Sequence, residues 1–396
     1  MISETIQKTE QLRSNIRVKA VHKISKIRYA LQKFLYVPDH FLKPKIISKI
    51  LKYLTPRLAK REDQSSLKVF IAYDGRYLKG FIIVENNPHY TSRNRNSATF
   101  GWLFAKKYEV CAALLEECER FSREQGLKLL RGPINFPKSV GGYGLQGEGF
   151  EEQMLYGVAF SHPIFSSKLS KYLTDYGFKE DAEYLTMEVT HDKWKKGTHL
   201  DEDIEIRYLT FEEFKNRKNE IIEMFSGAFY SVLPDAFGAQ RYKEVMELLK
   251  QIPPKYYRLP KDLDYEKYST QPEFLNAWRD SEGKDDLITF FHLAFDKKTD
   301  KIVGIITCLP DLYEIWKGEN ITRVNVDVAV VRKGYGRKGI FSSLNNIGQL
   351  TGNILGVRYY EGTSIWNLNE DAVKTILPHG RINRRFYVYQ KRVKKS

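Results

Sequence analysis

The sequence predicts an α+β protein of two domains, on three observations. The length, 396 residues, exceeds that of one ordinary domain. Two passages, beginning near residues 67 and 287, open with β-branched and aromatic runs, pass through a helix and close with another strand. A polar, aperiodic stretch at 190–203 lies between them. Such an order implies mixed, mostly antiparallel sheets flanked by helices.

Composition narrows the class. Hydrophobic residues are 42% of the chain, enough for real cores, and aromatics are 13%. No run approaches 18 apolar residues, so no membrane-spanning helix is expected. The first ten residues lack the apolar region of a signal peptide, which fits a cytoplasmic protein. Three cysteines without a C-x-x-C pair, and histidines without ligand spacing, argue against a disulfide framework or a metal site.

The net charge is +15. Residues 1–60 hold 14 lysines and arginines against three acids, and a second basic cluster lies at Arg381, Arg384, Arg385, Arg392, Lys394 and Lys395. In the N-terminal arm, Val21, Ile24, Ile27, Leu31 and Leu35 recur at helical spacing, with lysines mostly elsewhere. A second pattern uses Ile46, Ile47, Ile50, Leu51 and Leu54 and ends at Thr55-Pro56. Two basic amphipathic helices can lie on an anionic membrane surface, or dock their apolar faces on the protein. Nucleic acid is a weaker expectation, because no recognised binding motif is present.

The first domain is assigned to residues 61–192. A hairpin is expected at 69–84 through Asp74-Gly75, a third strand at 97–104, and a helix at 109–126 with Val110, Leu114, Cys118 and Phe121 on one face. A strand at 127–136, a Gly-rich loop at 140–149, a helix at 166–177 and a strand at 183–189 follow. Arg131 and Asn135 are polar groups on an otherwise apolar strand, and so are candidates to line a substrate groove.

The second domain is assigned to 204–396. Helices are expected at 211–229 and 240–249, and a long Tyr-rich stretch at 253–286 is a candidate lid. A hairpin through Asp300 leads to the apolar run at 324–331. That run ends in Arg332-Lys-Gly334-Tyr-Gly336-Arg337-Lys338-Gly339 and opens a helix at Ile340. Glycines let the backbone approach a ligand, and free N–H groups at the helix start point at it, so a phosphate-bearing ligand is expected. A further strand at 356–366 precedes Asn369-x-x-Ala372 at a helix start.

Strand, glycine turn, helix, strand and N-x-x-A together resemble the acyl-CoA-binding half of the GNAT N-acyltransferase superfamily. The first half resembles a GNAT domain without the phosphate turn. F-I-A-Y-D-G-R-Y-L-K-G, R-G-P-I-N-F, L-P-D-L-Y-E-I-W-K-G and Y-Y-E-G-T-S-I-W-N-L-N-E-D-A are similar to a bacterial tandem-GNAT family, over roughly residues 30–390. Some of its members resemble bacterial ceramide synthases. The resemblance implies two tandem GNAT domains behind the basic arm and acyl-CoA as donor substrate. It implies an amine acceptor, in its sharper form a sphingoid-base-like lipid amine. Cytoplasmic placement, at the inner membrane surface through the arm, fits that acceptor. The chain departs from the pattern at four places: Gly336 stands where Arg or Gln is usual, Arg337 and Phe341 where Gly is usual, and Ile376 where Tyr is usual.

By the same resemblance, the backbone of Ala329, Val330 and Val331 binds the pantetheine arm and polarises the thioester. In the turn that holds Gly334 and Gly336, the backbone of Arg337, Lys338, Gly339 and Ile340 holds the pyrophosphate, Lys333 or Arg337 reaches the 3′-phosphate, and Asn369 lies near the sulfur. Glu361 matches a family Glu and is the first candidate base. Asp327, mid-strand among valines, must face a cleft or be paired, and is the second. Tyr359, Tyr360 and Tyr387 are candidate acids. Two other functions remain open: a tandem-GNAT transferase using aminoacyl-tRNA, which the charge suits, and a non-catalytic membrane- or nucleic-acid-binding protein on this scaffold.

Overall fold

The computed structural model describes residues 15–37, 43–59, 66–136, 141–150, 163–189, 199–229, 234–237, 239–250, 252–260, 262–284 and 286–394. The start of the arm, residues 137–140, most of the expected linker and Lys395 lie outside them. The chain divides into two compact units, one of residues 1–185 with 383–396, the other of residues 186–382.

The first unit opens with β1 (Ile16–Ala20), α1 (Ile24–Phe34) and α2 (Lys43–Ala59). Next come β2 (Leu67–Asp74), β3 (Tyr77–Glu85), the short β4 (Thr91–Ser92) and β5 (Ala98–Ala105). The unit continues with α3 (Tyr108–Glu124), β6 (Leu129–Gly132), β7 (Leu145–Glu148) and α4 (Pro163–Asp175). The chain passes to the second unit within β8 (Lys179–Val189).

The arm is part of this unit. β1 pairs antiparallel with β2 from Ile16↔Asp74 to Ala20↔Phe70, a strand not foreseen in the sequence. Ile27, Ala30, Leu31, Ile46, Ile47 and Ile50 are buried, while Lys23, Lys26, Arg28, Lys33, Lys45 and Lys52 are exposed. The faces that would enter a membrane are therefore used as core, and the basic side chains face water. α2 runs through Pro56, past the expected stop.

The core of the unit is α3 laid on β2, β3 and β5, with Phe70, Ile82, Phe100, Leu114, Cys118 and Phe121 buried together. α3 follows β5 through Lys106 and Lys107 alone, with Glu109 in its first turn, so this helix start offers no glycine cradle.

In the second unit, β9 (Ile204–Arg207) leads to α5 (Phe211–Asn216), α6 (Lys218–Phe229), β10 (Asp235–Ala236) and α7 (Ala239–Leu249). A Thr210–Glu213 capping box starts α5. The expected lid is two 3-10 turns and α8 (Pro272–Arg279). Phe274, Leu275, Ala277 and Trp278 of α8 are buried, so it is a docked core element. Then come β11 (Phe291–Asp296), β12 (Lys301–Pro310), α9 (Leu312–Lys317), β13 (Arg323–Val331), α10 (Ile340–Ile354), β14 (Tyr359–Trp366), α11 (Glu370–Ile376) and β15 (Gly380–Arg392). The sheet runs β9-β11-β12-β13-β14, antiparallel except for the β13–β14 pair.

The last strand departs from the domain limits expected at 204–396. Residues 383–392 of β15 belong to the first unit, where Leu129–Gly132 pairs with Arg392–Tyr389 and β7 pairs with residues 385–387. Local sequence pattern carries no signal for such a distant pairing.

Candidate functional site

The site is built from one strand pair that separates. β13 pairs with β14 only from Arg323↔Tyr359 to Val326↔Gly362. β13 then continues to Val331 along β12 alone, ending at Val331↔Gly304. Among the described residues, its other edge therefore has no strand partner over residues 327–331. Asp327 is the extra residue of a bulge opposite Thr307 and Cys308. It is half-exposed overall although its side chain is fully buried, so the exposed part is its backbone.

Beyond Val331 the chain turns into α10. Gly334 (φ 92°) and Gly339 (φ 71°) adopt left-handed backbone, and so does Arg337 (φ 66°). Arg337 stands where the family pattern has Gly, and it keeps the conformation that glycine favours. A Cβ on Gly339 would lie 2.2 Å from His199 O, so that turn tolerates nothing larger. The residues behind the turn hold it: Lys338 Nζ donates to Asp201 Oδ2 at 2.7 Å, Asp201 N to Lys338 O at 3.1 Å, and Tyr335 Oη to Asp296 Oδ2 at 2.9 Å.

No side chain caps α10, its first turn holds no acid, and its first backbone bond is Ser343 N to Gly339 O. The N–H groups of Ile340 and Ser342 thus stand at the positive end of a 15-residue helix. Arg332 is engaged by Glu223 at 2.6 Å and Lys338 by Asp201. Lys333 and Arg337 are exposed and have no ion-pair partner among the described residues. An anion at this turn would meet two free cations and the helix start.

Below the turn lies a cleft. Ile306 and Cys308 of β12, Val326 and Ala329 of β13, and Tyr360 and Gly362 of β14 form one side. Phe341, Asn345, Gly348 and Gln349 of α10 form the other, with Val189 and Ile376. Ile376, where the family has its Tyr acid, is a hydrocarbon wall. Tyr360 Oη donates to Gln349 O at 3.2 Å, and burial raises its pKa. Burial, assisted by the Asp327 charge, pushes the Cys308 thiol up to about 12, so it stays protonated and is no nucleophile.

The two expected carboxylates are not in the cleft lining. Tyr360 and Gly362 face it, so strand alternation turns Glu361 to the opposite side of the sheet. There Glu361 is fully buried, with Tyr359 Oη donating to it at 3.1 Å and Asn325 Nδ2 at 3.4 Å. Asp327 is ion-paired with Arg241 of α7, a residue no sequence pattern singled out. Asp311 shares Glu361's surroundings. It caps α9 by accepting from Tyr313 N at 2.9 Å and lies 3.6 Å from Arg323. Burial raises its pKa to about 7. Asn369 is used locally, as its side chain accepts from Ala372 N at 3.3 Å and caps α11.

In the first unit, Arg131 and Asn135 are buried. Arg131 is fully buried against Asp181. Asn135 Oδ1 accepts from Trp102 N at 2.7 Å, and its Nδ2 reaches the carbonyl of Gly141 at 3.3 Å. The parallel pairing of β5 with β6 stops at Thr99↔Arg131, and residues 134–136 and 141–144 fill the space beyond. Gly101 is required there, because a Cβ would lie 2.1 Å from Ile134 O. The same strand separation thus occurs in both units, and in the first the chain occupies it itself.

Among the described residues no group of three or more His, Cys, Asp or Glu side chains is placed to hold a metal, and no helix is long and apolar enough to cross a membrane.

No protein-family model matches the chain, and no curated protein sequence matches it. Solved structures do. A tandem GNAT protein from the clavulanic acid biosynthesis pathway superposes with a TM-score of 0.52 at 10% identity, covering 96% of this chain and 99% of that one. A GCN5-related glucosamine N-acetyltransferase region in a fungal multi-domain GH3 β-N-acetylglucosaminidase gives 0.57 at 12%, over 95% of this chain and 38% of that protein. A GCN5-related N-acetyltransferase from Kribbella flavida gives 0.50 at 8%, over 95% and 71%. The protein therefore has a tandem GNAT fold.

Proposed function

We propose that the protein is an acyl-CoA-dependent N-acyltransferase whose second unit binds the donor. The separation of β13 from β14 after Val326↔Gly362, at the end of which stands a glycine turn with two free cations, carries the reading. The donor supplies an acyl group activated as a thioester. Lys333, Arg337 and the first N–H groups of α10 would hold its phosphates. The unpaired edge at residues 327–331 would bind the pantetheine amides and polarise the carbonyl from a fixed N–H. Much of the remaining task is positioning two reactants.

The amine would approach from the side opposite α10, since the donor fills the cleft side. Glu361 faces that way, and we assign it the role of orienting the amine and accepting its proton. Asp327 has its charge committed to Arg241, so we give it a positioning role. The hydrocarbon lining supports acyl groups longer than acetyl. A sphingoid-base-like lipid amine is the finer reading and rests on the sequence resemblance. Contact with an anionic membrane would be electrostatic, through the exposed lysines of α1 and α2.

Thermal unfolding with CoA, acetyl-CoA and palmitoyl-CoA tests the reading. A donor at about 100 times its Kd should stabilise by about 2.7 kcal/mol. A shift that survives salt and is lost on disrupting Gly339 supports it. No shift with any of the three, together with steeply salt-dependent tRNA binding, would move the assignment to an RNA-borne donor.

A further inference from the structure

We propose that Asn345 and Gln349 select a donor whose acyl chain carries an oxygen, as a hydroxyl or keto group a few carbons from the thioester. The inference rests on the reading that the cleft holds an acyl-CoA. The two residues lie one turn apart on α10, on the face that also presents Phe341 and Gly348 to the cleft. The walls facing them are largely hydrocarbon. Asn345 Nδ2 and Gln349 Nε2 are both buried and have no hydrogen-bond partner among the described residues. Leucine or methionine would suit such a wall better. A buried amide with unmet N–H groups has lost its bonds to water and gained none in return. Two of them, side by side in an apolar cleft, leave a place for a polar group that a ligand brings. Amide oxygen and nitrogen exchange places by rotation, so each side chain can donate to a keto oxygen or bond a hydroxyl in either sense.

Position assigns that polar group to the acyl chain. The cleft starts at Ala329, in the gap between the strands, and extends past the last pair, Val326↔Gly362, to Tyr360 and Cys308. Gln349 stands at that far end, where its backbone carbonyl accepts from Tyr360 Oη. Along the helix it is about 15 Å from Gly339. With phosphates at the turn and the pantetheine arm in the gap, the part of the donor at this depth is the chain beyond the reactive carbon.

Calorimetric titration of the full-length protein decides the matter, with CoA, butyryl-CoA, 3-hydroxybutyryl-CoA and acetoacetyl-CoA as probes. The wild type should bind the oxygenated donors about tenfold more tightly than butyryl-CoA. Asn345→Leu and Gln349→Met should erase that preference, leave CoA binding within about twofold and not lower the melting temperature. Gln349→Met and Asn345→Ala serve if the leucine variant does not fold. Equal affinity of the wild type for all acyl donors overturns the proposal. So does an equal loss for CoA itself, which would put the amides on the pantetheine arm. Failure of CoA and every donor to bind would overturn the acyl-CoA reading and this inference together.

Discussion

The backbone N–H of Trp102 donates to Asn135 Oδ1 at 2.7 Å, closing the gap between β5 and β6 from within the chain. Its counterpart in the second unit, the edge of β13 beyond Val326, has no strand partner among the described residues. Asn135→Ala should leave a buried N–H unmet, at a cost of about 2 kcal/mol by chemical denaturation. Calorimetry should find CoA affinity unchanged, because this side chain serves the fold alone.

The phosphate turn separates charge from conformation at a single residue. Lys333→Ala and Arg337→Ala should each weaken CoA binding about three- to tenfold at low salt, and less at high salt. Arg337→Gly should lose similar affinity yet raise stability by up to about 1 kcal/mol, because glycine enters left-handed backbone without a Cβ clash. Parallel titration and denaturation of the two Arg337 variants separate these effects. A loss of stability in the glycine variant would mean that the arginine is held by contacts worth more than its strain.

Glu361 and Asp327 should fail in different ways. Glu361→Gln should lower kcat about 100-fold with donor affinity intact. Asp327→Asn takes one carboxylate charge away from the buried Arg241, which also pairs with Glu244 at 3.5 Å. It should cost about 3 kcal/mol of stability. A kcat loss in Asp327→Asn at full stability would exchange the two roles.

Two buried groups should tilt stability against pH in opposite senses. Asp311, raised to about 7 by burial, binds a proton in the folded state that the unfolded state has released. Its contribution is therefore full below about pH 4 and falls as pH rises to 7. His292, lowered to about 3 by burial, stays neutral while the unfolded chain protonates, so its contribution falls as pH drops below about 6.5. Between pH 4 and 6.5 the two nearly cancel. Relative to wild type, Asp311→Asn should make stability rise with pH across that window, and His292→Gln should make it fall. Urea midpoints at pH 4.5, 5.5 and 6.5 read both slopes.

Much of this architecture was legible because its signals are local. The alternation in residues 324–331, the glycines at 334 and 339, and the apolar spacing from Ile340 place β13, the turn and α10 without reference to distant residues. The direction of Asp327 was not legible. A bulge is defined by its partner strand, and Arg241 stands 86 residues away. β1 was hidden because Ile16–Ala20 alternates too briefly to read as a strand until β2 is beside it. The apolar spacing of the arm fitted a membrane surface and a protein core equally well, and only packing decides between them. Arg131 and Asn135 were noticed as polar intruders in an apolar strand. That signal marks buried hydrogen-bonding as readily as recognition.

The return of residues 383–392 to the first unit sets an order of assembly. Gln390 lies opposite Arg131, 259 positions away in the chain. During synthesis, residues 1–185 emerge before the strand that covers the β6 edge has been made. The first unit to appear is thus the last to be completed, and it waits with an open strand edge while the second unit is produced. Damage to residues 383–392 should therefore unravel the unit that holds β6, and a partner that shields an open edge would be of most use in that interval.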